Sequence, residues 1–273
     1  MKANGLRQKR ILLSNDDGIG AEGLQALAKA LEEVAEVWVI APDQERSGHS
    51  HALSLHRPLK TTQLRSRWFQ LSGTPVDCVF MAFHNLMKDA PPDLVVSGIN
   101  HGANLATDVF YSGTVAIARE AALRGVPGIA MSLVSKTSTR FEHALPCARR
   151  LCTWALQHAA PGLLLNVNIP DNGRPPEGEV LTRLGTHHYR FEMLEKGDAG
   201  TGASYYWLIG DVHYRHESLP GTDCVAVYED NHISITPLSL DANDSRCMAA
   251  LQAQLATHLE MPAAVKAEAK AQT

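Results

Sequence analysis

Asp16 and Asp17 are adjacent carboxylates in the segment ILLSNDDG, directly after a short apolar run with the character of a buried strand. Two neighbouring anions attract a cation, and hard oxygen donors suit Mg²⁺, Mn²⁺ or Ca²⁺. In open parallel sheets, ligands collect beyond the carboxyl ends of the strands, so the pair stands where chemistry is expected as well as where a turn is needed. A purely structural role competes with this: one Asp shapes the turn while the other caps the next helix.

Two further polar loops follow strand-like runs. APDQERSGHSHALSL carries Ser47, Gly48, His49, Ser50 and His51. Ser47 offers a hydroxyl to a hard cation, as Ser and Thr do in phosphate sites. The GHSHA portion approaches a nucleophile elbow but has Ala52 where the elbow needs glycine, so a catalytic serine is not expected there. The third loop, INHGANLATDVFYSGTVAIAREA, follows LVVSG. Asn100 can present a carboxamide oxygen to a metal, and Asn104 an amide N–H to an anion. Tyr111, Ser112, Gly113 and Thr114 precede a helical pattern, so hydroxyls and unpaired backbone N–H groups converge where a phosphate is favoured. Capping alone is the competing role for Ser112 or Thr114. Gly18, Gly20 and Gly23 also spell G-x-G-x-x-G, with Asp43 after the next strand, which is formally a dinucleotide fingerprint. Asp16 and Asp17 would repel a pyrophosphate there, unless a bound divalent ion inverts the local charge.

These loops need strands to carry them. Continuous apolar runs at 11–14, 37–40, 94–97, 129–133 and 163–167 predict strands buried on both faces. Helical patterns lie at 24–34, from Thr74-Pro75 to Met87, at 113–124 and at 141–158. The alternation predicts an α/β fold with a Rossmann-like, three-layer core and a mostly parallel sheet over residues 10–170. Residues 1–9 read as a tail. Residues 171–259 read as a C-terminal extension: strands in hairpins at 204–209, 224–228 and 232–236, a weakly periodic arm or loop over 185–202, and a terminal helix from 241 to 259. The last segment, 260–273, reads as a disordered tail. Exposed hairpin strands of this kind invite a partner subunit.

Composition narrows the function. With 273 residues, 45% apolar and 20% charged, the chain can bury a sizeable core. A net charge of −4 and a pI near 6.3 supply no basic stripe for nucleic-acid duplexes. No stretch reaches bilayer length and MKANGLRQKR lacks a signal-peptide core, so no membrane association or export is expected. The five cysteines, Cys78, Cys147, Cys152, Cys224 and Cys247, are scattered without metal spacing and read as buried thiols in a reducing cytoplasm.

Taken together, SNDDG, APDQERSGHS, SGTPVDCV, PDLVVSGIN, NLATDVFYSGTVAIAREA, NVNIP and GTDCVAV followed by SITPL resemble the SurE family, the stationary-phase survival nucleotidases, over residues 10–241. The resemblance implies a phosphoric monoester hydrolase of the 5′-nucleotidase class acting on nucleoside monophosphates, with 3′-nucleotides also in range. It implies one divalent cation per subunit, Mg²⁺ or Mn²⁺, held by Asp16, Asp17, Ser47 and Asn100. It places the phosphate on Asn104, Ser112, Gly113 and Thr114, and implies a homodimer or homotetramer built with the C-terminal extension. Two positions depart from the family pattern: Glu22 stands where proline is usual, and Ala106 where glycine is common. The expected reaction is attack by a metal-activated water, with His49 or His101 as proton donor and Asp16 as the alternative nucleophile. An NAD-type oxidoreductase and a non-enzymatic nucleotide-binding stress protein remain alternatives at this point.

Overall fold

The computed structural model describes residues 8–135, 137, 140–189, 191–196, 204–210, 215–244, 247, 248, 251 and 254. In chain order its strands begin with β1 (Arg10–Ser14), β2 (Glu36–Pro42), β3 (Thr61–Arg65), β4 (Trp68–Leu71), β5 (Leu94–His101), β6 (Gly128–Val134) and β7 (Leu164–Pro170). They continue with β8 (Gly178–Leu181), β9 (His187–His188), β10 (Phe191–Lys196), β11 (Tyr205–Gly210), β12 (Arg215–His216) and β13 (His232–Pro237). The helices are α1 (Glu22–Leu31), α2 (Pro75–Met81), α3 (Gly113–Leu123), α4 (Ala144–His158) and α5 (Asp223–Tyr228). Residues Ala106–Phe110 form a 3₁₀ turn ahead of α3.

Nine strands make one sheet in the order β3-β4-β2-β1-β5-β6-β7-β13-β8. The run β4-β2-β1-β5-β6-β7 is parallel throughout, while β3 and β13 pair antiparallel with β4 and β7. The strand alternation sends Ile11 and Leu13 into a core with Leu24, Leu27 and Leu31 of α1 and Ala144, Ala148 and Cys152 of α4. Leu12 points the other way, into a core with Cys78 and Val79 of α2 and Ile117 and Ala121 of α3. Three layers result, and each fully buried leucine contributes about 1.5–3 kcal/mol to holding them. Helix α2 starts as its sequence dictates: Thr74 and Asp77 form a reciprocal capping box, with Pro75 in the first turn.

The chain leaves β1 for β2 on one side, whereas β5 lies against β1 on the other. The winding therefore reverses between β1 and β5, which opens a crevice at their carboxyl ends.

Several elements differ from the sequence reading. Residues 224–228 are helical and belong to α5, although CVAVY has strand propensity. The Asp223 carboxylate accepts from the N–H groups of Cys224 (2.9 Å), Gly185 (2.7 Å) and Ala106 (2.8 Å), so tertiary bonds fix a helix start that overrides local preference. The weakly periodic segment holds β10, which pairs antiparallel with β11. The sequence pattern assigns no strand to β3 or β4: TTQLR of β3 lies exposed at the sheet edge and carries no apolar alternation, and the apolar run of β4, WFQL, is only four residues long. The helix from Thr74 to Met87 is an α-helix to Met81 followed by a π turn, Ala82–Leu86. The sheet also does not stop at residue 170, since β13 and β8 extend it.

The chain divides after Leu238. In the second unit, Ser239, Asp241 and Asn243 form a hydrogen-bonded turn, and Cys247, Met248, Leu251 and Gln254 are helical. The rest of the expected terminal helix, the 260–273 tail and residues 1–7 lie outside the described residues.

Candidate functional site

Asp16 and Asp17 follow β1 at the crevice. Asn15, fully buried, donates from Nδ2 to Gly18 O at 2.9 Å and closes the turn that presents them. Gly18 takes φ +98°, a conformation other residues resist. Gly23, the last glycine of the apparent dinucleotide fingerprint, is needed for packing: a Cβ there would lie 2.2 Å from Ile99 O.

Separate segments close on the carboxylate pair. Arg46 N–H, one residue before Ser47, donates to the backbone carbonyl of Asp16 at 2.7 Å, tying the Ser47 loop to the main chain of the pair. Thr114 Oγ1 donates to Asp16 Oδ1 at 2.5 Å from within the first turn of α3. Helix α3 comes so near that a Cβ on Gly113 would sit 2.9 Å from Asp16 Cβ and Oδ2, so only glycine fits. From the end of β5, His101 donates its backbone N–H to Asp17 Oδ2 at 3.4 Å, with Nδ1 3.6 Å from the same oxygen. A register shift between Ser97 and Asn100 against β6 interrupts the ladder just before Asn100 and His101, the last two residues of β5.

Electrostatics follow from burial. Asp16 is 4% exposed. Burial pushes its carboxyl up from 3.8 to about 6, against the Thr114 hydrogen bond, and the neighbouring Asp17 charge adds to the rise. Burial also raises Asp17, opposed by the charge and hydrogen bonds of His101. A carboxylate pair strained in this way is relieved by a cation. Among the described residues no three His, Cys, Asp or Glu side chains form a metal cluster, so neutral oxygens must complete any ligand set. Asn100 suits that role: its Nδ2 donates to Gly102 O at 2.9 Å, which leaves the amide oxygen for a cation. Ser47 is exposed and donates from Oγ to Glu45 Oε1 at 3.0 Å, with its lone pairs still available.

The anion side is more committed than the sequence reading expected. Ser112 Oγ accepts from Val115 N–H at 3.0 Å and caps α3. Thr114 is fully buried and spent on Asp16. Asn104 is 7% exposed and donates one amide hydrogen to Ser132 Oγ at 2.8 Å, leaving the second. His49 is exposed, with Nδ1 3.3 Å from Ser47 O.

Residues to which the sequence assigned no role hold the loops. Ser50 Oγ donates to Phe110 O (2.6 Å), and Ser50 N–H to Tyr111 O (3.1 Å), which fastens the Ser47 loop to the turn before α3. His51 Nε2 meets Glu120 Oε2 at 2.9 Å. The hydroxyl of Tyr189 donates to both oxygens of Asp108 at 2.7 Å, bracing the 3₁₀ turn. No local pattern marks these pairings, because each joins segments far apart in the chain; Asn166 and Asn168 of NVNIP differ in carrying a signal, a polar residue in an apolar run.

The family model described as "Survival protein SurE" matches residues 11–191. The chain belongs to the SurE family. A Myxococcus xanthus protein named 5′-nucleotidase SurE is 54% identical over 239 residues, spanning 87% of this chain and 90% of its own length. A Vibrio campbellii protein of the same name is 45% identical over 257 residues, 93% of this chain and 98% of that one. The crystal structure of the SurE protein from Aquifex aeolicus superposes with a TM-score of 0.77 at 34% identity, over 89% of this chain and 98% of that chain. Of the two departures from the SurE pattern, Glu22 is an exposed first-turn residue of α1. Ala106 adopts φ +50°, the left-handed conformation that glycine would take without strain.

Proposed function

We propose that this chain is a divalent-metal-dependent 5′-nucleotidase, hydrolysing nucleoside monophosphates to nucleoside and phosphate. The observation that carries the reading is the meeting of three segments, through Arg46, His101 and Thr114, on the Asp16–Asp17 pair at the sheet's switch point. Relatives bearing that enzyme name over nearly their whole length support it. Neither an oxidoreductase nor a non-catalytic stress protein has comparable support.

Asp16, Asp17, Ser47 and Asn100 would hold one Mg²⁺ or Mn²⁺. When bound, the ion supplies charge neutralisation at a phosphoryl oxygen and lowers the pKa of water. The chain's own residues do the rest. Thr114 fixes the Asp16 carboxylate in one orientation. At the α3 start the Ser112 N–H is already donated to Asp108 O at 3.0 Å, so Gly113 and Thr114 offer their backbone N–H groups to phosphoryl oxygens, together with the remaining Asn104 amide hydrogen, and Ser112 shapes the turn. His101 is tied to Asp17, so it positions that carboxylate. His49, exposed beside Ser47, donates the proton from Nε2 to the departing ribose oxygen. No covalent nucleophile is required, because both aspartates are ligands.

The working form is a homodimer or homotetramer assembled through the β10–β11 hairpin, supported by exposed Phe191, Met193, Tyr205, Tyr206, Trp207 and Leu208. Four free thiols, Cys78, Cys147, Cys152 and Cys224, are buried and suit a reducing cytoplasm, whereas Cys247 is exposed, against the expectation that all five would be buried. The test is phosphate release from a panel of 5′- and 3′-monophosphates. Activity should vanish with EDTA and return with Mg²⁺ or Mn²⁺. Turnover unaffected by chelation, or metal-dependent binding without turnover, would overturn the proposal.

A further inference from the structure

We propose that Asn168 is a positioning residue for the phosphate-contacting loop, acting as a side-chain substitute for a β-ladder partner of Asn104. The inference rests on the reading of Asn104 as a phosphate contact. Asn104 lies three residues beyond the end of β5, in irregular chain, and both of its backbone polar groups are met by side chains. Its N–H donates to Asn168 Oδ1 at 2.8 Å, and its carbonyl accepts from Asn168 Nδ2 at 3.1 Å. Asn166 Nδ2 donates to the same carbonyl at 2.7 Å. Ser132 then receives the Asn104 side chain at 2.8 Å.

Asn166, Asn168 and Ser132 are all fully buried. Buried amides are costly unless bonded, so their presence in a strand whose intervening residues are Leu165, Val167 and Ile169 requires a task that apolar residues cannot do. The registry supplies that task. Asn100 pairs with Ser132, Ser132 with Asn168, and Asn168 with Ser234, in one row across β5, β6, β7 and β13. A single lateral row thus holds both a proposed metal ligand, Asn100, and, two strands along, the clamp on the anion loop, Asn168. It fixes the spacing between the cation and the phosphate contacts.

The experiment uses the Mg²⁺-loaded full chain and four readouts: KM and kcat on a nucleoside monophosphate, inhibition by inorganic phosphate, the Mg²⁺ activation constant, and Tm. Asn168→Ala should raise KM and the phosphate inhibition constant about tenfold, equivalent to about 1.4 kcal/mol, with Mg²⁺ activation within about twofold of wild type. Asn168→Asp is the diagnostic variant. In its protonated form the acid O–H donates to Asn104 O while the carbonyl accepts from Asn104 N–H, and ionisation destroys that match. Its activity relative to wild type should therefore rise as pH falls from 8 to 6, while the ratio for Asn168→Ala stays flat.

A folded Asn168→Ala with wild-type KM and phosphate inhibition would overturn the inference, as would a pH-independent ratio for Asn168→Asp. If Asn168→Ala does not fold, Asn166→Ala, which removes one bond to the same carbonyl, should raise both constants about threefold, and no rise overturns the inference. Asn104→Ala separates the two claims. Unchanged phosphate inhibition in Asn104→Ala sinks the reading of Asn104 itself, whereas weakened inhibition there with none in Asn168→Ala sinks the clamp alone.

Discussion

Asp16→Asn should make the metal-free protein more stable while removing its function. Burial raises the Asp16 carboxyl from 3.8 to about 6, so the native state holds this proton more tightly than the unfolded chain does. Stability contributed at this group is complete below pH 3.8, falls as pH rises through 6, and is flat above. The rise corresponds to about 3 kcal/mol of destabilisation at pH 8. Asn carries no charge, and its Oδ1 can still accept from Thr114. Allowing about 1 kcal/mol for the desolvated amide, the gain is about 2 kcal/mol, or about 4–8 °C in Tm for a unit of this size. Calorimetry in EDTA from pH 4 to 8 reads this directly: the variant should melt higher at pH 8, and the gap should close by pH 4. Added Mg²⁺ should raise wild-type Tm by mass action and leave the variant nearly unmoved, with activity down at least about 100-fold. An Asn variant that melts below wild type at pH 8 in EDTA, or a gap constant in pH, would refute the electrostatic account.

Thr114→Val removes the hydroxyl that lowers Asp16, so the acidic limb of the pH–rate profile should move to higher pH and more Mg²⁺ should be needed near neutrality; an unmoved limb contradicts the role given to Thr114. Ser112→Ala loses the α3 cap and should lower Tm by about 2–4 °C, equivalent to about 1 kcal/mol, and should also raise KM; a lower Tm with unchanged KM reduces Ser112 to a cap. Replacing Trp207 and Leu208 by Ser, both more than half exposed in the single chain, should convert the oligomer to monomer in light scattering, and a monomeric wild type would rule out the hairpin interface.

Much of the core was legible in the sequence, because strands buried on both faces are mostly apolar. Ile11, Leu12 and Leu13 could be read as a strand without knowing which helix each side chain meets. Thr74-Pro75 announced a helix start for an equally local reason, the capping of unpaired N–H groups. The Asp16–Asp17 pair stood out because two adjacent anions need an explanation wherever the chain runs. What folding alone decided is everything that depends on which strand lies beside which. The reversal between β1 and β5 brings His101 to Asp17, and the 2.9 Å approach at Gly113 brings Thr114 to Asp16, 98 residues away in the chain. The same dependence explains why CVAVY became helix, since Asp223 is bonded by N–H groups from Ala106 and Gly185, and no local pattern encodes them. Asn168 illustrates the limit most directly. Its sequence context is an ordinary buried strand, and only the register across β5, β6 and β7 turns its amide toward the backbone of Asn104.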